Sequence, residues 1–185
     1  MSMWAKCCRR ILRWMGWTVD GTAPEEEKCI ILGVPHTSIW DFIIAYLYYY
    51  SLDHKGHVMI KKEMFFWPLG PILRSVGCIP VDRSNAASLV RSVITEMEKS
   101  EHFHLCIAPE GTRKPVRKWK MGYHTIAREV GCPVYLGYFD WGTRHVGALR
   151  KVDLTDDARA DTDRIQALYE EMHLTGKHPE RYITH

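Results

Sequence analysis

Short, β-rich apolar runs alternate with helix-like stretches along most of this chain, and that alternation constrains its fold more than any other feature. Residues 29–34 (Cys-Ile-Ile-Leu-Gly-Val) open the pattern, and a helical stretch follows over 40–50. Residues 58–60 and 78–81 read as further strands, 86–99 as a helix starting near Ser84, 103–108 as a buried strand, 122–130 as a helix and 133–139 as a strand. A closing helix carries Ile165, Leu168, Tyr169 and Met172 at helical spacing, and the polar remainder after Gly176 is expected to be loosely held. Apolar runs without polar alternation suit strands covered on both faces, as in sheets flanked by helices. The expected class is α/β: a single domain with a mostly parallel or mixed central sheet flanked by helices, preceded by an N-terminal amphipathic helix.

With 185 residues the chain has room for one compact domain and not for two of full size. Its 46% hydrophobic and 25% charged residues argue against extended disorder. Net charge is only +3, so attraction to anionic lipid or nucleic acid must come from where the basic residues lie. No stretch reaches the ~18 consecutive apolar residues of a membrane span, and the nearest, 39–50, contains Asp41. The N-terminus lacks the continuous apolar core and cleavage site of a secretory signal. The expected location is cytoplasmic, peripheral on the cytoplasmic membrane. Among the six cysteines, Cys29, Cys78, Cys106 and Cys132 sit in or beside apolar runs and none forms a C-x-x-C pair. They read as buried thiols, with neither a disulfide framework nor a metal site expected. Adjacent Cys7 and Cys8 suit either packing or modification.

Residues 4–17 place Trp4, Cys7, Cys8, Ile11, Leu12 and Met15 at helical spacing, with Lys6, Arg9, Arg10 and Arg13 on another face. A basic amphipathic helix of this kind either lies in a membrane interface, its arginines near lipid phosphates, or docks on its own domain. Trp14 and Trp17 favour the interface. The expected division is residues 1–20 as this membrane-surface helix and 21–185 as the main α/β domain.

Chemistry concentrates where strands end, the usual place for sites in α/β folds. After the first strand comes Pro35-His36-Thr37-Ser38-Ile39-Trp40-Asp41. An imidazole accepts an alcohol proton near neutral pH, and a carboxylate on its other nitrogen fixes the tautomer and stabilises the cation. Among ten histidines one H-x4-D spacing carries little information alone, and His124 with Glu129 mimics it. Gly77-Cys-Ile-Pro-Val-Asp82-Arg83 delivers an arginine at another strand end, and Ala108-Pro109-Glu110-Gly111-Thr112-Arg113 a second. Guanidinium groups pair bidentately with phosphate, and glycine lets backbone N–H groups approach an anion. Taken singly, each reads more readily as a turn with a solvated arginine.

In combination and order, H-x4-D, the strand ending in Arg83 and Pro109-Glu110-Gly111-Thr112-Arg113 resemble the glycerolipid acyltransferase family typified by 1-acylglycerol-3-phosphate acyltransferase. Ile60-Lys61-Lys62-Glu63-Met64 and Trp67-Pro68-Leu69-Gly70 look like two further family segments, so the resemblance runs over about residues 29–139. The chain departs from the pattern at Pro35, where the family commonly has asparagine, and in the fourth block, reduced to Cys132-Pro133-Val134. The resemblance implies that His36 and Asp41 form the catalytic dyad, and that Arg83 and Arg113 hold phosphate. It implies also that Glu110, Gly111 and Thr112 shape the acceptor pocket, with Lys61 and Lys62 as further binding candidates. The implied reaction moves a fatty acyl group from acyl-CoA or acyl carrier protein (acyl-ACP) to a lysophospholipid hydroxyl at an anionic membrane surface, without cofactor or metal. An acceptor of the lyso amino-acid lipid class would keep the dyad and depend less on phosphate contacts. Alternatives of another class are a catalytically dead lipid-binding relative and a nucleic-acid binder using Arg113-Lys-Pro-Val-Arg-Lys-Trp-Lys120, where basic residues surround an indole. No nucleic acid is expected as partner, because basic loops are usually solvated or lipid-facing.

Overall fold

The computed structural model describes residues 1–82 and 84–183, apart from the side chain of Leu149. In chain order the elements are α1 (Met3–Trp14), β1 (Thr18–Asp20), β2 (Lys28–Val34), α2 (Ile39–Ser51), β3 (Gly56–Lys61), α3 (Leu69–Ser75) and β4 (Cys78–Val81). There follow α4 (Ala86–Lys99), β5 (Phe103–Ile107), α5 (Gly122–Val130), β6 (Val134–Asp140), β7 (His145–Val152) and α6 (Ala158–Glu171). One 7-stranded sheet has the order β1-β7-β6-β2-β5-β3-β4. Every pairing is parallel except β6 with β7, so the sheet is mixed.

The uninterrupted apolar run of β2 has a direct structural counterpart. Alternate side chains leave opposite faces of a strand, and here both faces are covered. Ile30, Leu32 and Val34 join a core built with Val93, Ile94 and Met97 of α4, Tyr123 and Ile126 of α5, and Ile165 and Tyr169 of α6. Cys29 and Ile31 point the other way, to Cys8 and Leu12 of α1 and to Ile44, Leu47, Tyr48 and Tyr49 of α2. Full burial contributes about 1.5–3 kcal/mol per large aliphatic side chain, so the central strand is a fixed platform for the loop that leaves it.

The termini differ from the sequence expectation in informative ways. The basic helix ends at Trp14 and is docked on its own domain through Ala5, Cys8 and Leu12, while Trp14 stays 88% exposed. Its asymmetry therefore has two apolar sides, one packed on the domain and one facing outward. Trp17, expected at an interface, is buried and meets Trp141 edge-on at 5.0 Å. The segment after Gly176 is tied down rather than loose: the backbone N–H of His178 donates to Oγ1 of Thr37 at 3.2 Å, and Arg181 donates to the carbonyl of Thr37 at 3.2 Å. Strands β1 and β7 and helix α3 were not expected, and the cap of α4 is Asn85, whose side chain accepts from Ser88 N.

Candidate active site

Local sequence explains how His36 and Asp41 are brought together. Ser38 caps α2, its hydroxyl accepting from the N–H of Trp40 at 3.3 Å. Asp41, at the third helical position, returns its carboxylate to the cap: Oδ2 accepts from Ser38 N at 2.6 Å and from Thr37 N at 2.7 Å. Ser38-x-x-Asp41 is a capping box, and the positive end of the helix dipole favours the carboxylate. The same Oδ2 lies 3.4 Å from Nδ1 of His36; the Asp41 side chain is fully buried and that of His36 is 25% exposed. With Nδ1 turned to the acid, Nε2 is the nitrogen left for a ligand. The other carboxylate oxygen, Oδ1, accepts from the indole N–H of Trp141 at 2.8 Å.

The loop after β5 reaches the dyad directly. Oε1 of Glu110 accepts from the backbone N–H of His36 at 2.8 Å, joining residues 74 apart. Burial pushes the Glu110 carboxyl up to about 7, against the lowering effect of that N–H. Its second oxygen, Oε2, is buried without a hydrogen-bond partner among the described residues. Glu110 thus supports the histidine loop from beneath and is not an exposed pocket wall. Gly111 turns the chain at φ +66, in the left-handed region where a side chain is strained, and an added Cβ would lie 3.0 Å from Cγ of Lys120. Thr112 is half-buried, its hydroxyl accepting from Lys114 N at 3.2 Å, while Arg113 is exposed.

The remaining candidates lie along the same sheet edge. Leu32 pairs with Ile107, Val34 with Tyr138, Val58 with Cys106 and Lys61 with Val81, all in parallel, so β2, β5, β6, β3 and β4 release their following loops on one side. Lys61 is exposed there, and Lys62 donates to Oδ2 of Asp82 at 2.5 Å. That pair holds the Asp82 carboxyl well below the usual carboxylate range, the Lys62 contact first and Ser84 second. Arg83, the next residue, lies outside the described residues.

Competing chemistry loses its groups to the fold. Burial pushes the Cys106 thiol up to about 12, which leaves almost no thiolate near neutral pH. Ser38 is 6% exposed and occupied as a helix cap. Trp119, the indole of the basic loop, is 5% exposed and packs against Tyr169 at 5.6 Å, so it offers no face for a stacked base. Sequence reasoning missed Trp141, Thr37 and the 174–182 strap as parts of the site. Their only signal is three-dimensional, since Trp141 meets Asp41 across 100 residues.

Comparison with known proteins agrees with this architecture. No curated protein sequence matches the chain. The crystal structure of the 1-acyl-sn-glycerophosphate (LPA) acyltransferase PlsC from Thermotoga maritima superposes with a TM-score of 0.61, covering 94% of this chain and 80% of that one at 19% identity. At that identity the likeness speaks to the fold. The family model described as Acyltransferase matches residues 17–136, well over half of the 185, a span that carries β2 with His36 and Asp41 behind it and the Glu110 loop after β5. This chain therefore belongs to the Acyltransferase family.

Proposed function

We propose that the protein is an O-acyltransferase that moves a fatty acyl group from acyl-CoA or acyl-ACP to the hydroxyl of a lysophospholipid, 1-acylglycerol-3-phosphate foremost. The observation that carries this reading is the dyad: a partly exposed imidazole whose Nδ1 faces a fully buried carboxylate 3.4 Å away. Nε2 of His36 takes the acceptor hydroxyl proton as the oxygen attacks the thioester carbonyl. The tetrahedral intermediate then breaks the C–S bond, and the departing thiolate receives the proton from the imidazolium. Asp41 stabilises the cation in between, and no covalent enzyme intermediate is required. Arg113, with Arg83, is the proposed grip on the acceptor phosphate, which would make the attack effectively intramolecular. Lys61, Lys62, Gly111 and Thr112 complete the proposed acceptor edge. No cofactor enters the scheme.

We assign the protein's partner surface to anionic lipid. The outward face of α1 carries Met3 and Trp14, each 88% exposed, and Trp4 at 50%. Lys6 and Arg10 join Met3, Cys7, Ile11 and Trp14 around an open hollow of about 610 Å³. Apolar side chains beside cations suit the boundary between acyl chains and phosphates. No helix among the described residues is long and apolar enough to cross a membrane.

Purified protein mixed with a panel of lysolipids and acyl donors, read by lipid mass spectrometry, tests the reaction. His36→Ala is expected to fold and lose turnover by about 10³-fold or more, as for loss of a catalytic base. Substantial residual transfer would remove the base assignment. In the same panel, Arg113→Ala should weaken phosphate-bearing acceptors selectively; indifference would favour an acceptor without phosphate.

A further inference from the structure

We propose that Trp141 is a positioning residue for the dyad: its indole N–H fixes Oδ1 of Asp41, so that Oδ2 is held toward His36. The inference rests on His36 and Asp41 acting as proposed above, but its geometry stands apart from the choice of substrate.

The capping box satisfies only one side of the Asp41 carboxylate. Thr37 N and Ser38 N both donate to Oδ2, the oxygen that also faces Nδ1 of His36. Oδ1 receives nothing from its own helix. Asp41 is 0% exposed, so solvent does not reach it, and a buried carboxylate oxygen without a donor is costly. The N–H of Trp141 fills that place at 2.8 Å, from an element 100 residues away. Rotation of the carboxylate about its terminal torsion, which is soft by itself, would break this bond together with the two from the cap.

The indole is itself held from several sides. Trp141 directly follows β6, whose C-terminal end lies beside that of β2. Its backbone N–H donates to the carbonyl of Thr175 at 2.8 Å. Asp140, just before it, accepts from Gly142 N at 3.0 Å, Thr143 Oγ1 at 2.5 Å and Thr175 N at 2.9 Å. Trp17 meets the ring edge-on at 5.0 Å. The ammonium of Lys177 stands 4.2 Å from the ring centroid and 5.2 Å from that of Trp40. A cation over an indole face draws electron density from it and makes the N–H a stronger donor. Further titratable or charged groups around the loop are Glu110, on the backbone N–H of His36, Arg181, on the carbonyl of Thr37, His178, whose backbone N–H donates to Thr37, and Glu180, 3.7 Å from His178 and 3.8 Å from Arg181.

Without the indole N–H, the carboxylate would concentrate its charge on fewer donors and hold the imidazolium more tightly. The base would then release its proton less readily, and the acidic limb of the rate profile would move to higher pH. A purely structural role for the ring would leave that limb in place.

Trp141→Phe keeps an aromatic ring, though a smaller one, and removes the donor, and Trp17→Phe disturbs the packing of the same indole without touching its N–H. Two readouts decide. By proton NMR of the full chain, the Trp141 indole N–H resonance should lie downfield and move upfield in Asp41→Asn, and the His36 ring resonances should titrate at higher pH in Trp141→Phe. In the acyl-transfer assay, Trp141→Phe should lower kcat about 10-fold, equivalent to about 1.4 kcal/mol, with KM within twofold and the acidic limb shifted upward. Trp17→Phe should keep the limb where the wild type has it. Unmoved His36 and indole resonances would overturn the proposal, as would equal limb shifts in the two variants. Should the wild-type protein turn over none of the acceptors, the acyl-transfer reading falls while the NMR arm still decides the role of Trp141.

Discussion

Three histidine–aspartate pairs occur among the described residues; His145 with Asp20, at 2.8 Å, ties β7 to β1, and the surroundings of the other two separate their roles. His124 meets Asp161 at 3.1 Å, closer than His36 meets Asp41, but its side chain is 6% exposed and its partner also takes Thr155 N and Arg164. That pair pins α5 to α6; the looser one opens to solvent. His124 with Glu129 only mimics the H-x4-D spacing by chance, and the fold pairs His124 instead with a residue 37 positions on. The spacing of His36 and Asp41 was legible because a helix cap makes that contact local. Glu110 offers a test at the same scale. Burial raises its carboxyl from the ordinary 4.5 to about 7, so the folded state keeps a proton that the unfolded chain releases. The resulting stabilisation is full below about pH 4.5 and is lost as pH rises through 7, by up to about 3 kcal/mol. Glu110→Gln, which retains the acceptor for His36 N–H, should flatten urea midpoints measured between pH 4.5 and 7.5. A wild-type midpoint that does not fall across that window would contradict the burial argument.

At the scale of elements, the strands read best were those buried on both faces. β2 announces itself by the unbroken run 29–34, and β5 by an apolar run interrupted by His104, because helices on either side demand it. β7 does not: Arg150 and Lys151 are exposed within it, and Gly147 sits where an added Cβ would lie 3.0 Å from the carbonyl oxygen of Asp20. Half-covered and neighbouring the short β1, it lacks the compositional signature of a core strand. The strap at 174–182 was misjudged because its polar composition hides backbone-mediated anchoring. Leu174 is 9% exposed, and at Gly176 an added Cβ would stand 2.7 Å from Cγ2 and 3.0 Å from Oγ1 of Thr37. Gly176→Ala should therefore push the strap off the His36 loop, costing about 1–3 kcal/mol of stability as overpacking does. Chemical denaturation checks the cost and kcat the displacement; an unaltered unfolding midpoint would show that the strap has room to spare.

For the whole molecule, α/β class, the mixed sheet and the edge bearing the site followed from the alternation of runs and helices, while the double character of α1 did not. Its sequence contains both an inward and an outward apolar side, and only docking against α2 decides which residues belong to each. Trp14→Ser combined with Arg10→Glu changes the outward side alone. In vesicle co-sedimentation, these changes should cut binding to phosphatidylglycerol-containing bilayers about 10-fold or more and leave the unfolding midpoint nearly unchanged, given surface charge contributions of about 1 kcal/mol per basic residue. Equal sedimentation of variant and wild type would remove α1 as the proposed membrane contact, with Phe66 and Trp67, 58% and 85% exposed, as the next surface to test. The clamp on Thr37 carries a further implication for biosynthesis. His178 reaches back across 141 residues and Trp141 across 100. A ribosome therefore exposes the histidine loop long before its braces exist, and a nascent chain carries that loop unbraced until the strap has emerged.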